Sequence, residues 1–89
     1  MSKYKRLKLD KYIFFFKYEP SQPELLHIWV RHLTTSKDAL KVFFSSEAVY
    51  NKKYKRYENS NDKHSIYWNW INEKENKIII ITCFKIGRD

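Results

Sequence analysis

The chain reads as a single small α+β domain in which a short helical layer packs on a curled antiparallel sheet, in the order β-α-α-β-β-β. Three observations predict this class. Eighty-nine residues with 43% hydrophobic and 18% aromatic content can build one dense core and no more. One Gly and two Pro are too few for a loop-rich or disordered chain. Finally, apolar residues recur at helical spacing in the middle of the chain and at strand spacing towards its end. The domain therefore spans residues 1–89, with 1–9 read as a basic N-terminal arm bearing Lys3, Lys5, Arg6 and Lys8.

Lys11–Tyr18 is rich in aromatic and β-branched residues and predicts the first strand, which Glu19-Pro20-Ser21-Gln22-Pro23 interrupts. The next segment admits two readings. Leu25, Leu26, Trp29, Val30 and Leu33 share a helical face, and Ser21 with Glu24 makes a capping pattern ahead of it. Ile28, Trp29 and Val30 equally suit a strand, Leu25–Leu33, hairpinned onto the first. Cap and period together favour the helix.

Thr34-Thr35-Ser36 opens a second helix, with Thr35 and Asp38 supplying an acceptor and an acid to its free N–H groups. Ala39, Leu40, Val42, Phe43 and Phe44 form its buried face, and it ends near Ser45 or Ser46. Lys52–Tyr57 reads as an extended strand, with Lys53, Lys55 and Tyr57 on one face and Lys52, Tyr54 and Arg56 on the other. Asn59-Ser60-Asn61-Asp62 is a turn. His64–Asn72 alternates, placing Ile66, Trp68 and Trp70 opposite Tyr67, Asn69 and Ile71. Glu73-Lys74-Glu75-Asn76 turns the chain into Lys77–Ile86, whose near-continuous apolar run predicts a central strand covered on both faces.

Eighteen basic against 10 acidic residues give a net charge of +8, which suits nucleic acid, an anionic surface or an acidic protein. Lys, Asn, Ile, Phe and Tyr share A/T-rich codons, so clustering says more than the total. The densest cluster is Lys52-Lys53-Tyr54-Lys55-Arg56-Tyr57, where cations for phosphate alternate with rings for unpaired bases. The plain alternative is a solvated edge strand whose lysines deter edge-to-edge pairing. Trp68 and Trp70 suit either a base-stacking platform or, more commonly, a core.

His27, His32 and His64 are the only imidazoles, and each can serve as acid or base near neutral pH. No C-x-x-C, H-x-x-x-H or clustered carboxylates occur, so neither a metal site nor a cofactor is expected. Cys83 is the only cysteine and lies in an apolar strand, which predicts a core residue and forbids an intrachain disulfide. The apolar run Tyr12–Phe16 is too short for a signal-peptide core, and Ile78–Phe84 is far below a membrane span. A cytoplasmic protein with no membrane partner is the expectation.

The run Phe16-Lys17-Tyr18-Glu19-Pro20, then Arg31-His32, then Ala39 and Val42-Phe43, resembles the front half of BrnT-type toxins, members of the RelE/barnase/colicin-like ribonuclease group. Leu33 stands where that family has Gly. Ile81-Thr82-Cys83-Phe84-Lys85 replaces its Arg-rich strand end, leaving Lys85 and Arg88 as stand-ins. The resemblance implies metal-free RNA cleavage by Lys, Arg and His, with RNA as substrate and an acidic antitoxin as partner. Such cleavage needs a cluster of cations, and Lys53, Lys55, Arg56, His64, Lys85 and Arg88 converge if the last three strands are adjacent, with His32 entering from the helical side; the expected catalytic set is His32, Lys55, Arg56, His64 and Lys85, with Lys55 or His64 as base or acid and Arg56 and Lys85 on the phosphate. Lys5, Arg6, Lys52, Lys53, Tyr54, Tyr57 and Arg88 would hold the nucleic acid, and Tyr57 or Tyr67 would stack on a base. Two other classes fit the same residues: a non-catalytic module for single-stranded nucleic acid, and a small mobile-element inhibitor that occupies another protein's nucleic-acid groove.

Overall fold

A computed structural model describes residues 3–86. In chain order the elements are β1 (Tyr4–Leu9), β2 (Tyr12–Glu19), β3 (Gln22–Leu26), α1 (His27–His32), α2 (Ser36–Ser45), β4 (Val49–Asn51), β5 (Arg56–Ser60), β6 (His64–Asn72) and β7 (Lys77–Lys85). The α+β class holds, as an open curled sheet with two helices. The expected order does not, because the described residues form a sheet of seven strands, ordered β1-β2-β7-β6-β5-β4 with β3 paired to β2. Nor is it wholly antiparallel: β2 and β7 run parallel from Ile13↔Lys77 to Phe16↔Ile80. The intervening helices and strands supply the long crossover that a parallel pair requires.

Three local expectations are corrected. The supposed basic arm is β1, an edge strand joined to β2 by the Asp10-Lys11 turn, where Asp10 takes a left-handed φ of 57°. The ambiguous segment splits: Gln22–Leu26 hairpins back on β2, and only His27–His32 is helical, with Leu26 as its N-cap in place of the Ser21/Glu24 pattern. The basic tract is not a two-faced strand. Lys52–Lys55 form a hairpin turn, and β5 begins at Arg56.

Two more expectations give way in part: Asn59 and Ser60, expected in a turn, end β5, and Ile81 is 41% exposed, so β7 is not covered on both faces. The capping of α2 follows the sequence. Asp38 N donates to the Thr35 hydroxyl at 3.1 Å and Thr35 N to the Asp38 carboxylate at 2.9 Å, a reciprocal capping box. One face of α2 buries Ala39, Leu40 and Val42 on the sheet. Beneath it, a row of paired residues crosses six strands: Lys5, Phe16, Ile80, Trp68, Tyr57 and Tyr50. The adjoining row, Leu7, Phe14, Ile78 and Trp70, completes the core with Phe43 in edge contact with Phe14 and Trp68. β7 is central, paired to β2 and β6. Phe16↔Ile80 is the last pair between β2 and β7. Helix α1 packs against both strands, and the Thr34 hydroxyl meets the Cys83 carbonyl at 2.9 Å.

Candidate functional site

The tightest polar constellation lies at the end of β2. Glu19 is 2% exposed although charged. Its carboxylate accepts from Arg31 Nη2 at 2.9 Å and Nε at 3.1 Å, and faces His27 Nδ1 at 3.2 Å. His27 and Arg31 are four residues apart on α1, so one helix face presents both to the same acid. The Arg31 hydrogen bonds are the main cause that holds the Glu19 carboxyl below its usual value; burial opposes them. His32 lies one residue beyond, its ring centroid 6.0 Å from that of His27. Burial is the largest cause that pushes the His32 imidazole below its ordinary pKa, and the charges of His27 and Arg31 push the same way.

With Nδ1 facing Glu19, the His27 ring directs Nε2 away from the acid. The His27 side chain is 29% exposed and that of Arg31 59%. Glu19 therefore orients the pair from behind, and the two imidazoles with the guanidinium meet solvent. A cleft of about 420 Å³ lined by Lys3, Tyr4, Lys17, Tyr18, Glu19, Pro20 and Pro23 shares Glu19 with this centre.

The residues expected to converge are distributed over three places. His32 belongs to the centre just described. His64 and Lys85 are a cross-strand pair where β6 begins and β7 ends. Burial raises the Asp38 carboxyl, but its hydrogen bonds with Thr35 and the charges of His64 and Lys85 outweigh this and lower it. His64 and Lys85 thus share this place with a carboxylate, Asp38. Lys55 and Arg56 lie on the β4–β5 hairpin. Arg56 Nε donates to Glu58 at 2.9 Å, and its guanidinium lies 3.6 Å from the Tyr67 ring and 4.5 Å from Tyr54. Lys52, Lys53, Tyr54 and Lys55 are exposed.

Tyr57 is not available for a base: it faces the core and stacks on Trp68 at 4.6 Å. Trp68 is likewise core, 4% exposed, with its indole N–H donated to Asn59 at 2.8 Å. On β1, Arg6 shares the open face with Phe15, whereas Lys5 points to the helical side. Arg88 lies outside the described residues. Cys83 is fully buried, which pushes its thiol up to about 11. Among the described residues no three His, Cys, Asp or Glu side chains gather as metal ligands, and no helix is long and apolar enough to cross a membrane.

Glu19 and His27 are the partners that sequence reading did not pair, since eight residues and a hairpin separate them. Glu19 and Arg31-His32 carry the toxin resemblance, and that is the signal that pointed here. No family model, curated protein or solved structure matches the chain.

Proposed function

We propose that the protein is a metal-independent endoribonuclease of the toxin type, with its reacting groups on α1. The observation that carries this is the His27–His32 pair beside Arg31, seated on the buried Glu19 carboxylate. In this reading His32, kept neutral by burial, takes the proton from a ribose 2′-hydroxyl. The 2′-oxygen attacks phosphorus, and Arg31 stabilises the charge that gathers on the non-bridging oxygens. Protonated His27 gives its proton to the departing 5′-oxygen, leaving a 2′,3′-cyclic phosphate and a 5′-hydroxyl. Glu19 offsets the imidazolium charge and fixes the ring, acting as a positioning residue. Centroids 6.0 Å apart allow both ring edges to reach one phosphodiester.

The test incubates the purified full chain with single-stranded RNA, with and without EDTA. Cyclic-phosphate ends formed at equal rates in both are expected, with losses of about 10²-fold or more in His27→Ala and in His32→Ala. RNA left intact at high protein concentration overturns the reading, as does full activity in both variants.

A second reading keeps the nucleic acid and drops the chemistry. Glu19 has almost no exposure, so its bonds to Arg31 and His27 also serve as a clamp that fixes α1 to β2. Salt-sensitive RNA binding without cleavage is its signature.

The proposal also includes an acidic partner, which one surface supports. Leu7, Leu9, Leu40 and Phe44 floor an apolar groove of about 530 Å³ between β1 and α2, and Lys37 and Lys41 border it. An amphipathic segment with acidic flanks complements both features. A Leu/Glu amphipathic peptide is expected to bind there and to lose affinity in Phe44→Glu; unchanged affinity in that variant refutes the assignment.

A further inference from the structure

The basic hairpin and the histidine pair are joined by an unbroken line of side-chain contacts across the open face of the sheet. From α1, the His32 ring is 6.1 Å from Phe84 on β7, and Phe84 is 5.2 Å from Tyr67 on β6. Tyr67 holds the Arg56 guanidinium at 3.6 Å, and Arg56 lies 4.5 Å from the Tyr54 ring at the hairpin tip. Phe84, Tyr67 and Arg56 are half-buried, whereas Tyr54 is 56% exposed. The face carrying this line is the one that α2 leaves uncovered, because Tyr67 and Arg56 alternate with the core residues Trp68 and Tyr57.

The tip is preorganised. Asn51 Oδ1 accepts from Lys53 N at 3.0 Å and from Tyr54 N at 3.2 Å, closing an Asx turn. Lys55 adopts a left-handed φ of 54°, and Asn69 Nδ2 donates to its carbonyl at 2.8 Å. Glu58 accepts from both Asn51 and Arg56 at 2.9 Å, which locks the base of the hairpin to the guanidinium. These bonds hold Tyr54 on Arg56 before any ligand arrives, so little side-chain entropy is left to lose on binding.

We propose that this line is the path of a single-stranded RNA, running from the His27–His32 centre over Phe84 and Tyr67 to a base-stacking position at Tyr54. Lys52, Lys53 and Lys55 take the phosphates at the far end. The path rests on the ribonuclease reading only for where it ends, since stacking and phosphate contact need no chemistry. It selects single strands because ring faces reach only unpaired bases. Arg56, already paired with Glu58 and stacked, supports Tyr54, and the tip lysines carry the strand's charge.

The test measures binding of a labelled 2′-O-methyl single strand, which cannot be cleaved, and of the same sequence as a duplex. Tighter binding of the single strand is expected, falling about 5- to 150-fold in Tyr54→Ala, the range of one lost base stack. Tyr54→Phe keeps the ring and should keep the affinity. Lys52→Gln and Lys53→Gln should each reduce the log–log salt slope by about 0.7. Circular dichroism of each variant reports folding, and the exposed tip leaves the core untouched. Equal affinity for duplex and single strand, or unchanged affinity in Tyr54→Ala, overturns the path. Tyr54-dependent binding with no cleavage of the matching unmodified RNA supports the path and overturns the catalytic reading alone.

Discussion

Replacing Thr34 with Val separates a hydroxyl from its volume at the joint between α1 and the sheet. Thr34 is fully buried, and its hydroxyl lies 3.0 Å from the Ile28 carbonyl and 2.9 Å from the Cys83 carbonyl. Its single proton is shared between them. The Thr34 N–H also reaches the Ile28 carbonyl, at 3.1 Å, so that acceptor keeps a donor when the hydroxyl goes. The Cys83 carbonyl loses its Thr34 donor inside the core. One buried acceptor left unsatisfied costs about 1–3 kcal/mol. For a domain of this size that is a fall of roughly 4–20 °C in Tm. Thr34→Ser keeps the hydroxyl and deletes one methyl, about 0.8 kcal/mol by area. Thermal unfolding by circular dichroism should therefore rank parent, Ser variant, Val variant. In the same series RNA cleavage should fall further in the Val variant than in the Ser variant, because His32 sits two residues before the joint. A Val variant that melts with the parent, or above the Ser variant, refutes the argument that this hydroxyl pins α1.

Thr35→Ala removes one half of the capping box and should cost about 1 kcal/mol, measured by urea unfolding. Cys83 should resist a thiol reagent in the native protein and react at once in denaturant, because burial both blocks it and holds it as the thiol. Acid should destabilise the fold in two stages. The Glu19 and His32 pKa values are lowered on folding, so the stability they contribute is present above their ordinary values, 4.5 and 6.5, and is lost as pH falls. Unfolding midpoints should decline first below about 6.5 and again below about 4.5; His32→Gln should remove the first decline and keep the second.

Legibility in the sequence tracked the range of the forces involved. Helix α2 and strands β6 and β7 were readable because a capping box, an alternation and an apolar run are local signals. The segment after Pro20 was not, since strand and helix signals overlap in Leu25–Leu33 and the chain uses both in turn. In the basic tract, alternation of cations with rings imitates a strand. The deciding residue is Asn51, whose side chain captures the N–H groups of Lys53 and Tyr54 and bends the chain. The polar centre was only half visible. Arg31 and His32 stood out as neighbours, but pairing Arg31 and His27 with Glu19 depends on β3 folding back along β2.

Counting cations would place the chemistry wherever lysines are densest, and the geometry argues against that. A lysine acts as a base only where burial or crowding by like charge disfavours its proton. At the hairpin tip Lys52, Lys53 and Lys55 stand in water, and at the other end Asp38 offsets His64 and Lys85. Around α1 the balance differs: one imidazole, His27, and the Arg31 guanidinium share one buried carboxylate, while His32, without that partner, is pushed towards neutrality. That is a place where protons can move near neutral pH, whereas the tip is a place where phosphates can rest. If the division holds, charge-removing substitutions at the tip should raise KM and leave kcat unchanged, because the lost contacts bind ground and transition states alike. Substitutions at His27 or His32 should do the reverse. A tip variant that lowers kcat at saturating RNA would mean that the lysines touch the reacting phosphate after all.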